Sequence, residues 1–312
     1  QQVSSAASDV YKRQIQYCTN DARTAFLDQG SKSAPPLVLV GGLNQQLITW
    51  PEYFVDGLLN LGYRVIRLDN RDSGFSRSYD ELKCPSFSRL TLFRWFGVPV
   101  DIPYSLEVMA WDVINLLDHL SLPSAHIIGI SMGGMIGQIL AGKYPSRVSS
   151  FTCINSSSGK LGKGLPSLAV SKAMIEPTPA GMTPIDNSVR VRQMFGSPEY
   201  PETDDYVREQ VKKEHDRARN IKGYFRQMAA ARSAPNRKNM LKKIVAPTLI
   251  IHGEDDQLVN VNGGKEIKKH IRHAKFVTFK GMGHNMPIEL LKKFLTLISQ
   301  NIAEGENFDS TK

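Results

Sequence analysis

The segment Gly129-Ile130-Ser131-Met132-Gly133 decides the fold of this 312-residue chain. It follows an apolar run at residues 125–128 and leads into an apolar helical pattern. A serine between a strand and a helix lies at a sharp, strained turn that exposes its hydroxyl, and the positions two residues away on either side must be small. Gly129 and Gly133 meet that requirement. The segment therefore predicts a strand, a turn and a helix, with Ser131 as a candidate nucleophile.

Short apolar runs recur along the chain and alternate with longer helical patterns. They predict strands at residues 37–40, 63–68, 125–128, 149–154, 247–251 and 275–279. Runs this apolar are typical of strands that helices cover on both faces. Between the runs, apolar residues recur with a helical period, most clearly at residues 105–122 and 290–298. The alternation predicts an α/β fold with a mostly parallel central sheet flanked by helices.

One long segment, residues 159–243, interrupts this alternation because it contains no convincing buried strand. We expect it to form a helical cap over the C-terminal edge of the sheet, where open α/β sheets bind their ligands. The predicted domains are an α/β core at residues 15–158 and 244–302, with the cap between them. Residues 1–14 are interpreted as disordered or cloning-derived, and residues 303–312 as a tail.

The two halves of the cap differ in character. We expect apolar residues of the first half to face the site: Leu165, Leu168, Val170, Met174, Ile175, Met182 and Met194. The later half is highly charged. This combination favours a closed pocket for small or medium ligands over a lid with a broad apolar face for an oil surface.

The positive charge of the chain is concentrated in one stretch. Residues 206–243 contain 12 Lys or Arg against 3 Asp or Glu, an excess that equals the net charge of +9 of the whole chain. Such a stripe can mark a nucleic-acid interface. No nucleic-acid motif and no interleaved stacking aromatics accompany it, so we favour a solvated helical face and expect no nucleic-acid partner.

Composition excludes several other classes of protein. With 41% hydrophobic and 22% charged residues, the chain is typical of a soluble globular protein. No apolar run approaches the roughly 18 residues of a membrane helix and no signal segment is present, so we expect a cytoplasmic protein without membrane contact. The three cysteines lack a C-x-x-C arrangement, and no H-E-x-x-H spacing occurs. We therefore expect no metal and no cofactor, whereas homo-oligomerisation stays open.

A serine hydroxyl needs a base to take its proton, and histidine is the usual one. Of the seven histidines, His284 lies in a Gly-rich loop after the last predicted strand, at the edge of the sheet where a base can reach the serine. His252 lies at the same edge but directly follows apolar strand residues, which favours a structural role. The sequence therefore predicts His284 as the base.

The base in turn needs an acid that fixes its tautomer. The carboxylates Glu254, Asp255 and Asp256 follow the strand predicted at residues 247–251. Residues close to the strand end are still held by the sheet, whereas the turn that Gly253 begins can aim a side chain at the next loop. This favours Asp256, with Glu254 and Asp255 as exposed loop charges.

A developing oxyanion needs preorganised backbone N–H donors. One is expected directly after the nucleophile, at Met132. The turn after the first predicted strand supplies a candidate for the second, Leu43, which follows Gly41 and Gly42. Ser131, His284, Asp256, Leu43 and Met132 thus form the predicted site.

With these residues identified, the chain resembles the α/β-hydrolase superfamily over residues 15–302. Gly41-Gly42-Leu43 with Trp50-Pro51 is similar to the family's oxyanion-loop segment, and residues 69–76 are similar to the loop after its next strand. Many members carry His where this chain has Gly41, but the donor is a backbone group. In the family pattern the acid falls three residues after the glycine that ends the strand, which is Asp256.

The resemblance implies hydrolysis of a small-molecule ester through an acyl-enzyme, and a narrower similarity connects the chain with bacterial esterases that include polyketide methyl esterases. Members of the fold with an aspartate nucleophile are excluded by Ser131. Carbon–carbon bond hydrolases and cofactor-free perhydrolases use the same triad and remain alternatives. An alternative of another class is a non-catalytic ligand-binding or basic interaction module.

Overall fold

The computed structural model describes residues 15–309, in which eight strands form one sheet. The strands are β1 (Gln16–Tyr17), β2 (Ala25–Gln29), β3 (Pro36–Val40), β4 (Arg64–Leu68), β5 (Ala125–Ile130), β6 (Val148–Ile154), β7 (Thr248–Gly253) and β8 (Lys275–Phe279). Their order in the sheet is β1-β2-β4-β3-β5-β6-β7-β8. All neighbours from β4 to β8 pair in parallel, and β2 is antiparallel to β1 and β4. The predicted α/β fold with a mostly parallel sheet is confirmed.

Helices cover both faces of this sheet. They are α1 (Glu52–Asn60), α2 (Phe87–Phe96), α3 (Leu106–His119), α4 (Met132–Lys143), α5 (Leu168–Ala173), α6 (Pro184–Gln193), α7 (Asp204–Arg217), α8 (Ile221–Ser233), α9 (Lys238–Leu241), α10 (Asn262–His270) and α11 (Leu291–Asp309). Side chains alternate between the faces of a strand. In β3, Val38 and Val40 belong to a buried cluster with residues of α3, α4 and α10, whereas Leu37 and Leu39 belong to a second cluster with residues of α1 and α11.

The strands β1 and β2 were not predicted from the sequence. The other strands were predicted from runs of apolar residues, whereas β1 consists of two exposed residues. In β2 only the first three residues are buried, and the strand ends in Asp28 and Gln29. The edge strand β1 and its antiparallel neighbour β2 carry a weaker hydrophobic signal than the central parallel strands.

Residues 303–309, which the sequence analysis assigned to the C-terminal tail, continue α11, which ends at Asp309. The helix keeps packing beyond Ile302, which is buried. Gly305 lies so close to β6 that a Cβ there would be 2.6 Å from the Ser149 carbonyl oxygen. The segment 1–14 lies outside the described residues.

The connection between β6 and β7 contains the helices α5 to α9, and buried ion pairs join it to the loop after β4. Arg226 of α8 donates two hydrogen bonds to Asp72, of 2.8 and 2.6 Å. Arg217 of α7 donates to Asp69 at 2.7 Å. Burial would raise the pKa of Asp72, but the hydrogen bonds from Arg226, the Tyr79 N–H and the Tyr104 hydroxyl, together with the charge of Arg226, outweigh it and hold that pKa below its ordinary value.

These contacts correct the interpretation of the basic stretch. Arg226 and Arg237 are buried and Arg217 is nearly so; hence they do not belong to a solvated face. Arg237 donates to Gln138 at 2.9 Å and to the Ser157 carbonyl at 2.7 Å, and burial lowers its pKa to about 10. Three of the twelve Lys and Arg side chains therefore attach the segment to the core, whereas eight of the twelve are exposed as expected. Among the described helices, none is long and apolar enough to span a bilayer.

We predict that Arg226→Leu lowers the free energy of unfolding by about 3–5 kcal/mol, because it leaves Asp72 buried without its partner. Arg208→Leu is the matched control, since Arg208 pairs with Asp186 on the surface at 2.6 Å. It should cost at most about 1 kcal/mol. Urea unfolding followed by circular dichroism measures both, and equal effects would contradict the anchoring role of Arg226.

Candidate active site

Ser131 lies in a strained turn between β5 and α4. Its φ of 55° and ψ of −119° are unusual for a residue other than glycine. The two flanking glycines permit the turn, because a Cβ at Gly129 would lie 2.3 Å from the Gly133 carbonyl oxygen, and one at Gly133 would lie 1.9 Å from the Val40 carbonyl oxygen. The turn is held from β6, where Ile154 accepts from the Ser131 N–H at 2.9 Å.

His284 and Asp256 are brought together by the loops after β8 and β7. The distance between His284 Nδ1 and Asp256 Oδ2 is 2.6 Å, and both side chains are buried. The other carboxylate oxygen accepts from the backbone N–H groups of Leu258 and Val259, each at 2.8 Å. Because a carboxylate only accepts, Nδ1 carries the proton and Nε2 is left as the acceptor.

The neighbouring acids point elsewhere. Asp255 accepts from the Gly281 N–H at 2.8 Å, and Glu254 accepts from the Thr278 hydroxyl at 2.6 Å. His252, at the same edge, is fully buried with Nε2 2.7 Å from the Val259 carbonyl oxygen, and burial lowers its pKa. Neither Asp255 nor Glu254 has a hydrogen bond to a histidine in the part of the chain that the structure describes.

The loop after β3 lies against Ser131. A Cβ at Gly42 would be 3.1 Å from the Ser131 Cβ. Within residues 15–309, the backbone N–H groups of Leu43 and Met132 donate no hydrogen bond to protein. Such N–H groups beside a nucleophile are the arrangement that stabilises an oxyanion.

The side chain of Asn155, which was not selected from the sequence, and a backbone carbonyl hold the loop of His284. Asn155, buried directly after β6 with φ 47°, donates from Nδ2 to the carbonyl oxygens of Gly283 and His284, both at 3.2 Å. Its Oδ1 accepts from the Gly253 N–H at 2.9 Å. From the other side, the Phe195 carbonyl accepts from the His284 N–H at 2.8 Å. The signal for Asn155 was available, because a polar residue directly after a buried strand lies at the edge that binds ligands.

Ser131 and His284 line one cavity of about 670 Å³, together with Leu43 and residues of the helical segment. Of the apolar residues expected to face the site, Met174 and Ile175 line it. Leu165, Leu168 and Met182 are exposed instead, because short helices and turns direct them to solvent.

The cavity also has a charged wall. Arg192 donates to Glu214 at 2.7 Å, and both line the cavity. Burial would lower the pKa of Arg192, but the attraction of Glu214 raises it above its usual value. Burial also raises the pKa of Glu202. Across residues 15–309, no three His, Cys, Asp or Glu side chains are grouped so that they could hold a metal ion.

Known proteins resemble this chain over most of its length. A family model described as alpha/beta hydrolase fold matches residues 35–289. The chain is 29% identical to a 3-oxoadipate enol-lactonase of Acinetobacter baylyi, covering 81% of this chain and 84% of the relative. It is 25% identical to a rhodomycin D methylesterase of a Streptomyces species, with coverage of 83% and 88%.

A solved structure, a meta-cleavage product hydrolase from Pseudomonas fluorescens, matches with a TM-score of 0.72 and 21% identity. The match covers 94% of this chain and 99% of that one. The chain therefore belongs to the α/β-hydrolase superfamily, as the resemblance in the sequence implied, and it is a hydrolase.

Proposed function

We propose that the protein is a carboxylesterase that cleaves small to medium esters through an acyl-enzyme on Ser131. The observation that carries this proposal is the cavity shared by a serine in a strained turn and a histidine bonded to a buried aspartate. The two relatives named a lactonase and a methylesterase support it, since both names describe cleavage of an ester bond.

In the proposed mechanism, His284 Nε2 takes the proton of the Ser131 hydroxyl as the oxygen attacks the ester carbonyl. Asp256 keeps the proton on Nδ1 and stabilises the imidazolium that forms. The N–H groups of Leu43 and Met132 bind the oxyanion of the tetrahedral intermediate. The imidazolium then protonates the leaving alcohol, and water attacks the acyl-enzyme with His284 again as base.

The backbone geometry supports this division of roles. Leu258 and Val259 donate to one oxygen of Asp256, which leaves the other aimed at His284. Asn155 and Phe195 hold the loop of His284 from the core and from the helical segment. The histidine therefore has one orientation, and catalysis needs little reorganisation when charge develops.

We predict that Ser131→Ala removes ester turnover almost completely, by roughly a million-fold as for a triad that acts as a unit. Hydrolysis of p-nitrophenyl acetate measures this, and a fluorophosphonate probe should label Ser131 stoichiometrically in the unaltered protein. Labelling of another serine would contradict the assignment of the nucleophile.

We predict that Asp256→Asn lowers kcat by roughly 10⁴-fold, because an amide cannot hold the proton on Nδ1 of His284. Asp255→Asn is the matched control, since the Asp255 carboxylate accepts from the loop amide of Gly281 and has no hydrogen bond to a histidine within residues 15–309. Its effect on kcat should stay within about tenfold. If kcat fell more in the control than in Asp256→Asn, the acid that orients His284 would be Asp255 and not Asp256.

We predict a preference for short acyl chains in a panel of p-nitrophenyl esters, because a cavity of about 670 Å³ with a charged wall suits small or medium substrates. A sharp rise in rate when a long-chain triglyceride forms droplets would contradict this. Turnover of a vinylogous diketone without any ester turnover would favour the alternative of carbon–carbon bond hydrolysis.

A further inference from the structure

Glutamine side chains determine the shape of the loop that carries Leu43. The Gly42 N–H donates to Gln45 Oε1 at 2.6 Å, and the Asn44 N–H donates to Gln227 Oε1 at 2.7 Å. The N–H of Leu43 lies between these two. Because both flanking groups are bonded, the Leu43 N–H is the one of the three that can bind an acceptor in the cavity.

The bond to Asn44 comes from the helical segment and not from the α/β core. Gln227 lies in α8 and is fully buried. Its Nε2 donates to the Arg71 carbonyl oxygen at 2.7 Å while its Oε1 accepts from Asn44. Since a carbonyl only accepts and a backbone N–H only donates, the amide group has a single orientation. Gln227 thus joins the loop after β3 to the loop after β4.

The position of Gln227 is itself fixed. The preceding residue, Arg226, makes the buried double hydrogen bond with Asp72 in the same loop after β4. Asn44, whose N–H donates to Gln227, has φ 58°, in the left-handed region that asparagine tolerates better than most residues other than glycine. The hydrogen bond that Gln227 accepts stabilises the loop in this one of the conformations open to it.

Small movements of this loop would change its position relative to the nucleophile. Gly42 lies so close to Ser131 that a Cβ on Gly42 would be 3.1 Å from the Ser131 Cβ. A misplacement of about 1 Å in a catalytic group can cost roughly 100-fold in rate. The direction of the Leu43 N–H should accordingly depend on the contact made by Gln227.

We propose that Gln227 is a positioning residue, which acts through the Asn44 N–H to aim the Leu43 N–H at the oxyanion formed on Ser131. This inference rests on the proposed esterase function. It gives α8 a part in transition-state stabilisation in addition to covering the cavity.

The test is Gln227→Met, which keeps the side-chain length and removes both polar atoms. We expect kcat to fall roughly 10- to 100-fold, part of the about 10²- to 10³-fold effect of losing an oxyanion donor. KM should change by less than about threefold. The inhibition constant of an aryl trifluoromethyl ketone should rise by the same factor by which kcat falls, because the oxyanion of its hemiketal needs the same N–H.

Asn301→Leu is the matched control. Asn301 is buried and donates to the Phe151 carbonyl at 3.1 Å, on the far side of the sheet from α8. It should lower thermal stability and leave kcat and the inhibition constant of the ketone unchanged. Gln227→Asn, which retains the amide but shortens its reach, is the second variant; it should show the same loss of kcat even if Gln227→Met fails to fold.

The outcomes separate this inference from the proposed function. Absence of ester turnover in the unaltered protein, or turnover that survives Ser131→Ala, would overturn the proposed function. Turnover that depends on Ser131, with kcat and ketone affinity of the folded Gln227 variants within about threefold of the unaltered protein, would overturn the role of Gln227 alone.

Discussion

The close approach of α4 to the end of β3 is the constraint on which the site depends. Gly133 meets the backbone there so tightly that a Cβ would lie 1.9 Å from the Val40 carbonyl oxygen. No other residue type fits that space. The contact turns the chain sharply at Ser131 and brings the nucleophile beside the loop that begins at Gly41. The strain at Ser131 is maintained because strands on both sides fix the turn.

Buried polar contacts connect the helical segment to this framework. In the loop after β4, Asp69 accepts a hydrogen bond from Arg217, and Asp72 accepts from Arg226. Gln227 donates to the Arg71 carbonyl and accepts from the Asn44 N–H. Removing one partner of such a pair leaves a desolvated charge, so these contacts hold the segment in one place. The cavity therefore lies between two parts of the chain that specific hydrogen bonds join.

The sequence was most informative where local constraints are strict. The six predicted strands lie within two residues of those observed, because strands buried on both faces need continuous apolar runs. The edge strand β1, its antiparallel neighbour β2 and the last turns of α11 were not predicted, since their stability comes from pairing and packing with other parts of the chain. The interpretation of the basic stretch failed for Arg217, Arg226 and Arg237 for the same reason, as the carboxylates and carbonyls that bind them lie elsewhere in the chain.

By itself, the sequence determined the fold class and the candidate residues Ser131, Asp256 and His284, because a strained turn, a strand end and a glycine-rich loop each have a local signature. Tertiary structure alone decided that His284 Nδ1 lies 2.6 Å from Asp256, that Asn155 holds the loop of His284, and that Gln227 holds the loop of Leu43. Asn155 and Gln227 act across sequence separations of 129 and 183 residues. A mid-helix glutamine carries no local sign of such a contact, since its partner is determined by how the helical segment packs on the core.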